Sequence, residues 1–415
     1  MGIEYTVGRL VAVASRPLFL LIANNYLGVE AAQGVAVAFL VVSLAMIATA
    51  ADAHRPFYVQ QFEGETGGGG LVFYVYVVSH LILAVLGGLM VWGLTWHLAA
   101  SGVLAVSAVL YLWSEKIADE LLRLRLFQRE FGVWGQSLIA RSVVQLGGLG
   151  VLMLWMGGRA PAPLAVALLT LGNVVVFSPQ LPASMRRILS VRSVRVVGWL
   201  ARRAVAMLRA NWRLWAIALV SASIGYVDRV LGFAIDPANL PIFLLVVMCF
   251  SIVRMSVDFA YLSRHRRDFL QQRLSVRGAM LNWEFMATIV AGLGLASIAV
   301  TFVLRAARGA DSFPLLYVLA IGALHTSVAI SLIPREISYW THAYGLILRI
   351  EGLFWALFAS AAGALWMLGL GAGEILAAAA CCAWVRLAMH LVVASRARPS
   401  SVGAASRGTT VLEAP

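Results

Sequence analysis

Long apolar runs recur along the whole chain, and short charged segments separate them. A helix of about 20 mainly apolar residues is long enough to cross the hydrocarbon core of a membrane. Twelve runs approach that length, which predicts an all-α polytopic membrane protein with about twelve transmembrane helices. The predicted spans are residues 8–27, 32–51, 71–93, 98–113, 134–156, 163–184, 212–235, 241–261, 283–304, 313–333, 342–368 and 371–394.

The composition agrees with this pattern and excludes a chain built of soluble domains. Of 415 residues, 61% are hydrophobic and 12% are charged, whereas soluble proteins carry about 25% charged residues. Lys116 is the single lysine, and its neighbours Glu115 and Ile117 do not form the Gly-Lys-Ser/Thr sequence of a phosphate-binding loop. The chain therefore has no ATPase site of that class.

The basic residues are distributed unevenly between the two sides of the predicted bundle. The formal net charge is +13, and most of the basic residues fall in segments on the side of the two termini. The opposite loops carry only Arg159, Arg305 and Arg308. Because basic residues favour cytoplasmic loops, we expect both termini in the cytoplasm. This placement favours an anionic membrane surface over nucleic acid as the partner of the positive charge.

The longest connection, residues 191–211, predicts a basic amphipathic helix. Its arginines fall on one side of a helical wheel, and its Val, Leu and Met residues fall on the other. Such a helix is typical of a segment that lies on the anionic cytoplasmic leaflet. Gly198 is the position at which the helix could be divided.

An internal repeat indicates that the two halves of the chain are related. When the first span is laid over the seventh, Arg9 matches Arg213, Leu27 matches Leu231 and Gly28 matches Gly232. Repeats of this kind place a substrate path between two bundles, so we expect two six-helix bundles related by a pseudo-two-fold axis. The predicted divisions are 1–190 for the N-terminal bundle, 191–211 for the linker helix, 212–395 for the C-terminal bundle and 396–415 for a disordered cytoplasmic tail.

Arginines inside the predicted spans are the main candidates for function. A charge at mid-membrane costs roughly 2.5–3.5 kcal/mol on insertion scales, so it normally faces the bundle interior or a wet cavity. Two interpretations remain open: interhelical ion pairs, or a cationic cavity that binds the phosphate oxygens of an anionic head group. The arginines outnumber the acidic residues by two, which favours the cavity. These residues are Arg16, Arg141, Arg229, Arg254 and Arg349, against Asp228, Asp258 and Glu351.

Other polar residues give weaker signals. Asn24 and Asn25, near the outer end of the first span, are candidates to bind sugar hydroxyls or to join helices. His80 and His325 lie mid-span, where a histidine either relays protons or forms a structural hydrogen bond. Residues 115–130 predict a charged cytoplasmic hairpin. The sequence shows no zinc-ligand spacing and no recognisable Ser/His/Asp set, so we predict no metal, no cofactor and no catalytic residue.

Two short segments and the overall architecture resemble a known family. The seventh span contains Gly225-Tyr226-Val227-Asp228-Arg229-Val230-Leu231-Gly232, which is similar to that family's tyrosine-x-Asp-Arg-x-x-Leu-Gly segment. The first span, from Arg16 through Asn24-Asn25-Tyr26-Leu27-Gly28, is similar in kind. With its twelve spans and basic linker, the chain resembles the Wzx-like polysaccharide flippases of the multidrug/oligosaccharidyl-lipid/polysaccharide exporter superfamily. It departs from the family where Asp236-Pro237-Ala238-Asn239 stands in place of a glycine-tyrosine segment, which leaves the glycan open.

The resemblance implies a transporter and not an enzyme. It would move an undecaprenyl-pyrophosphate-linked oligosaccharide across a bacterial inner membrane by alternating access. The implied partners are the lipid-linked glycan, anionic membrane lipids, and the polymerase and export machinery of a polysaccharide pathway. Two alternatives remain: an ion-coupled organic-cation antiporter of the same superfamily, and an integral acyltransferase that uses His325. The expected substrate-binding residues are Arg16, Asn24, Asn25, Arg141, Asp228, Arg229, Arg254, Asp258 and Arg349.

Overall fold

The computed structural model describes residues 3–50, 69–127, 130–156, 159–180, 194–210, 212–262, 265, 276–310, 313–340 and 344–396. Every regular element in these ranges is a helix. The α-helices are α1 (Ile3–Tyr26), α2 (Val29–Ala50), α3 (Gly69–Ala99), α4 (Gly102–Phe127), α5 (Phe131–Met156), α6 (Ala162–Phe177), α7 (Val194–Ala210), α8 (Trp212–Ile224), α9 (Val227–Ile235), α10 (Leu240–Ser256), α11 (Val276–Met280), α12 (Trp283–Ala306), α13 (Leu315–Trp340), α14 (Tyr344–Met367) and α15 (Ala372–Arg396). Short 3₁₀ helices follow α6 and α9, and a π-helix over Val257–Leu262 extends α10.

Ten of the described helical segments are long and apolar enough to cross a membrane. This confirms the prediction of an all-helical, multi-pass membrane protein. The predicted spans 98–113 and 212–235 are not among the ten. The first falls in α4, which carries several charged residues after Ser114, and the second is divided between α8 and α9. The count of twelve and the orientation of the termini therefore stay predictions.

The break between α8 and α9 is the main departure from the expected regular spans. The helix stops at Ile224, Gly225 and Tyr226 form a turn, and α9 begins at Val227. Tyr226 has φ −127° and ψ 0°, outside the helical region, and its carbonyl accepts from the Arg229 amide at 3.1 Å. Discontinuous helices of this kind expose backbone groups at membrane depth only where they are buried in protein or line a cavity.

The charged segment that begins at Glu115 also differs from its prediction. Instead of leaving the bundle as part of a cytoplasmic hairpin, α4 continues as a helix to Phe127, and both Glu115 and Lys116 are buried. Lys116 Nζ donates to the Thr49 carbonyl at 2.6 Å, near the end of α2. Partners on neighbouring helices thus let these charges stay inside the bundle, which the pattern of one segment does not show.

Helices pack first within each half of the chain. In the N-terminal half (3–180), α1 packs on α5, and α4 packs on α3 and α6; in the C-terminal half (212–396), α13 and α14 pack on α15, and α10 packs on α12. The two halves meet where α1 contacts α10 and where α2 contacts α8 and α10. These are the leading helices of each half, which is the arrangement that the internal repeat leads us to expect. The predicted domain boundaries themselves stay predictions.

Glycines allow α1 and α5 to cross at backbone distance. A Cβ atom added to Gly8 would lie 2.5 Å from the Gly135 carbonyl oxygen, and one added to Gly135 would lie 2.2 Å from the Glu4 carbonyl oxygen. Small residues permit this close approach between helices in a membrane, where packing rather than hydrophobicity drives association.

The predicted linker helix is observed as α7, which is not interrupted at Gly198. Its apolar side packs on α3: Leu200 and Ala204 are buried with Val78. Arg202 and Arg203 are exposed on the other side. The two faces agree with the amphipathic pattern, whereas residues 191–193 and the predicted tail after Arg396 lie outside the described residues.

Candidate functional site

A cavity of about 600 Å³ lies between the two halves of the chain. Helices α1, α2, α4 and α5 form its N-terminal wall, and α9, α10, α13 and the turn before α9 form its C-terminal wall. On α1 the lining residues run from Arg9 to Pro17, so the cavity lies beside the N-terminal part of that helix. We call the side on which α1 begins the open face and the side on which α1 ends the closed face.

The lining is strongly cationic. Six arginines reach the cavity and three carboxylates oppose them, which leaves a surplus of three arginines over carboxylates. The arginines are Arg9, Arg16, Arg123, Arg141, Arg229 and Arg254, and the carboxylates are Glu115, Asp119 and Asp258.

Glu115 organises the N-terminal wall. Its carboxylate accepts a hydrogen bond from Arg16 on α1, lies 3.4 Å from Arg141 Nη1 on α5, and accepts from Asn173 Nδ2 on α6 at 3.0 Å. One negative charge thus serves two arginines. Arg141 is buried, and its Nε–H has no hydrogen-bond partner among the described residues. This wall therefore retains donor capacity for an anion.

The broken helix supplies the C-terminal wall. The Arg229 guanidinium lies 3.7 Å from the centre of the Tyr226 ring, which holds it against the turn between α8 and α9. Asp228 points away from the cavity lining: it is fully buried, accepts from the Arg229 amide at 2.8 Å, and lies 2.8 Å from His325 Nε2. Asp228 is therefore a partner of a cavity residue rather than a lining residue.

Arg254 adds a further positive charge to the same wall. Arg254 and Asp258 are spaced i, i+4 in the sequence but do not form an ion pair; Asp258 lies instead 3.4 Å from Arg9 of the N-terminal half. The π-helix that begins at Val257 explains the difference, because its wider turn changes the direction of residues beyond Arg254. In the described part of the chain, no carboxylate lies within ion-pair distance of Arg254, and Arg335 and Arg229 add further positive charge beside it.

Exposed ion pairs lie at the rim on the open face. The side chains of Arg9 and Asp258 are 23% and 61% exposed, and those of Arg123 and Asp119, which are 2.8 Å apart, are 29% and 36% exposed. The cavity therefore reaches the surface here. Exposed pairs of this kind are weak and can exchange partners when an anion enters.

The structure brings five of the nine predicted site residues into the cavity lining: Arg16, Arg141, Arg229, Arg254 and Asp258. Asp228 lies directly behind it. Arg349 is exposed on α14 and does not line the cavity. Asn24 and Asn25 lie in the last turn of α1, on the closed face, where their amides bind backbone groups of the C-terminal half.

Three members of the charge networks are not among the predicted site residues. Glu115 falls in the predicted hairpin 115–130, although Tyr111, Ser114 and Glu115 share one helical face in their i, i+3, i+4 spacing. Arg9 lines the cavity near the start of α1. Arg386 is buried, and its Nε lies 2.5 Å from Glu351 Oε2.

Comparisons with known proteins assign neither a family nor a function to the chain. No protein-family model matches the chain, and no curated protein matches it. In the described part of the chain, no group of three or more His, Cys, Asp or Glu side chains could hold a metal ion.

Proposed function

We propose that this protein is a flippase that moves a lipid-linked oligosaccharide, carried on a polyprenyl pyrophosphate, across the bacterial inner membrane. The observation that carries the proposal is the cavity between the halves, where six arginines face three carboxylates. Surplus guanidinium groups inside a membrane indicate an anionic ligand, because each charge there costs several kcal/mol unless it is paired or hydrated. An anion from solution or the anionic head group of a lipid would neutralise these surplus arginines.

The chemistry of the lining favours phosphate. Guanidinium groups bind phosphate oxygens in a bidentate manner and present no acceptor that would repel them. A volume of about 600 Å³ is in the range of small-molecule sites. It accommodates a head group, while a long prenyl chain remains in the surrounding lipid. The surplus positive charge disfavours an organic cation, and with it the antiporter alternative.

The acyltransferase alternative rests on His325, which lines the cavity and whose Nε2 lies 2.8 Å from the buried Asp228 Oδ2. General bases are also held by a carboxylate in this way, so this contact does not separate transport from chemistry. The surplus of arginines in the lining is what favours transport.

The finer architecture belongs to the same proposal. Counting α4 as the fourth span and the broken pair α8–α9 as the seventh gives twelve spans in two sets of six. With both termini in the cytoplasm, as the distribution of arginines favours, the open face is cytoplasmic and the closed face is periplasmic. The cavity is then in the state that receives substrate, and rocking of the halves would carry the head group across.

The proposal is tested by depleting the protein in its host and quantifying polyprenyl-linked glycans by mass spectrometry, with their accessibility on each leaflet. We expect complete repeat units to accumulate on the cytoplasmic leaflet. An unchanged lipid-linked pool would contradict the proposal and support the cation antiporter. Units that lack an acyl group would contradict it in favour of the enzyme.

A further inference from the structure

Two side chains that the sequence predicts to bind substrate, Asn24 and Asn25, instead hold the closed face together. Asn24 and Asn25 occupy the last helical turn of α1, and Gly28 ends the segment with φ +82°, a left-handed conformation that favours glycine. The lining residue of α1 nearest to them is Pro17, eight residues before Asn25 and about 12 Å from it along the helix axis. The two asparagines therefore lie outside the cavity lining and contact the other half of the chain instead.

Asn25 binds the end of α12 through both ends of its amide. Its Nδ2 donates to the Ala306 carbonyl at 2.8 Å, and its Oδ1 accepts from the Arg308 amide at 3.0 Å. Ala306 is the last residue of α12, and its carbonyl is one of the four that have no partner within the helix. Asn25 thus caps a helix of the C-terminal half from outside it. Gly309, with φ +79°, turns the chain immediately afterwards.

Two further bonds cross the same boundary. Asn24 Nδ2 donates to the Arg308 carbonyl at 3.3 Å, and Gln33 Nε2 at the start of α2 donates to the Ala238 carbonyl at 3.4 Å. Beneath them the interface is apolar and closely packed: Leu20, Ala23 and Leu245 are completely buried in one cluster. The closed face is therefore sealed by apolar packing and fastened at its surface by amide-to-backbone hydrogen bonds.

We propose that Asn24 and Asn25 with the backbone of Ala306 and Arg308 form a latch, which keeps the closed face shut until the halves rock apart. The inference rests on the proposed function in one respect, namely that the closed face must open for release. Each bond replaces water on both partners and is worth little net free energy. The latch is consequently strong enough to bias the equilibrium and weak enough to break in every transport cycle.

The latch is tested without any substrate by measuring the width of the closed face. Spin labels are placed at Val29 and Leu315, which are exposed at the starts of α2 and α13. Cys381 and Cys382 are first replaced by alanine, and buried Cys249 is kept. In Asn25→Ala we expect the ratio of open to closed molecules to rise about tenfold, because two hydrogen bonds are lost. Asn24→Ala should shift the same ratio by less.

Asn239→Ala is the matched control. Asn239 lies on the same face, but its Nδ2 donates at 2.9 Å to Asp236 within its own half. We expect this variant to keep the unmodified distance distribution. Equal distributions for Asn25→Ala and the parent would overturn the latch, and so would an Asn239→Ala shift as large as that of Asn25→Ala.

A cross-link tests the same contact during transport. In the variant with Asn25→Cys and Arg308→Cys, a short thiol-reactive linker with a reducible bond should stop movement of the lipid-linked glycan, and a reductant should restore it. Full movement with the link in place would overturn the latch. If no protein variant moves the glycan at all, the proposed function fails while the distance measurement still decides the latch.

Discussion

Single charged residues decide how much of the cavity is available to a ligand. On the N-terminal wall Arg16 and Arg141 share the single carboxylate of Glu115, while on the opposite wall no carboxylate of the described residues lies within ion-pair distance of Arg229 or Arg254. The sequence correctly identifies these arginines as residues that face the interior. It does not assign the ion pairs of Arg16 and Arg141, because the carboxylate that they share comes from another helix.

A second buried network in the C-terminal half has a structural role. Glu351 accepts from Arg386 Nη2 at 2.7 Å, from Ser221 Oγ at 2.8 Å and lies 3.2 Å from His390 Nε2. Arg386 also donates to Ser331 at 3.1 Å. Three helices, α8, α14 and α15, therefore meet at one carboxylate, and Arg386 links α13 to them; none of these residues lines the cavity.

Removing that carboxylate should destabilise the fold. In Glu351→Gln the Arg386 charge loses its partner inside the bundle, and breaking a buried pair costs roughly 3–5 kcal/mol. We expect a clear fall in the thermal unfolding temperature of the purified protein in detergent. Arg349→Gln, two residues earlier and exposed, is the control and should leave that temperature nearly unchanged. Similar unfolding temperatures for the two variants would show that the network does not support the fold.

At the scale of elements, regular helices were predicted well and interrupted ones were not. The start of α12 and the end of α5 coincide with the predicted limits, because apolar runs end where the helices leave the membrane interior. The break at Gly225–Tyr226 and the π-helix after Ser256 lie inside segments that the hydropathy pattern predicts as single continuous spans. Nothing in a hydropathy pattern marks such positions, since the reason for them is the cavity that the helices line.

The crossing of α1 and α5 makes a prediction at this scale. A methyl group added by Gly135→Ala would collide with the Glu4 backbone, so α1 must shift, and overpacking of this kind typically costs about 1–3 kcal/mol. We expect a lower thermal unfolding temperature and weaker transport. Gly147→Ala on the same helix, where a Cβ would meet no atom within 4 Å, should be neutral or stabilising. A neutral effect at both positions would contradict close packing at Gly135.

At the scale of the whole molecule, the interface between the halves has an open face and a closed face because charged and apolar residues lie at different ends of it. Arginines line the part near the open face, and buried aliphatic residues with an asparagine latch close the other part. The repeat in the sequence leads to the expectation of two related halves, and the contacts between α1, α2, α8 and α10 agree with it. Which face is closed follows only from side-chain contacts such as Asn25 to Ala306, which no sequence pattern contains.

The central claim is that arginines of the cavity bind the anionic head group that is moved. It is tested most directly by reconstituting the protein into liposomes with polyprenyl-pyrophosphate-linked glycan from the depleted host, and measuring the rate at which the glycan changes leaflet. Arg254→Gln should lower this rate at least tenfold, since a charge-assisted hydrogen bond is worth about 1.5–3 kcal/mol. Arg349→Gln, which removes the same charge away from the cavity, should keep the parent rate. Equal rates for Arg254→Gln and Arg349→Gln, with both proteins folded, would contradict the account.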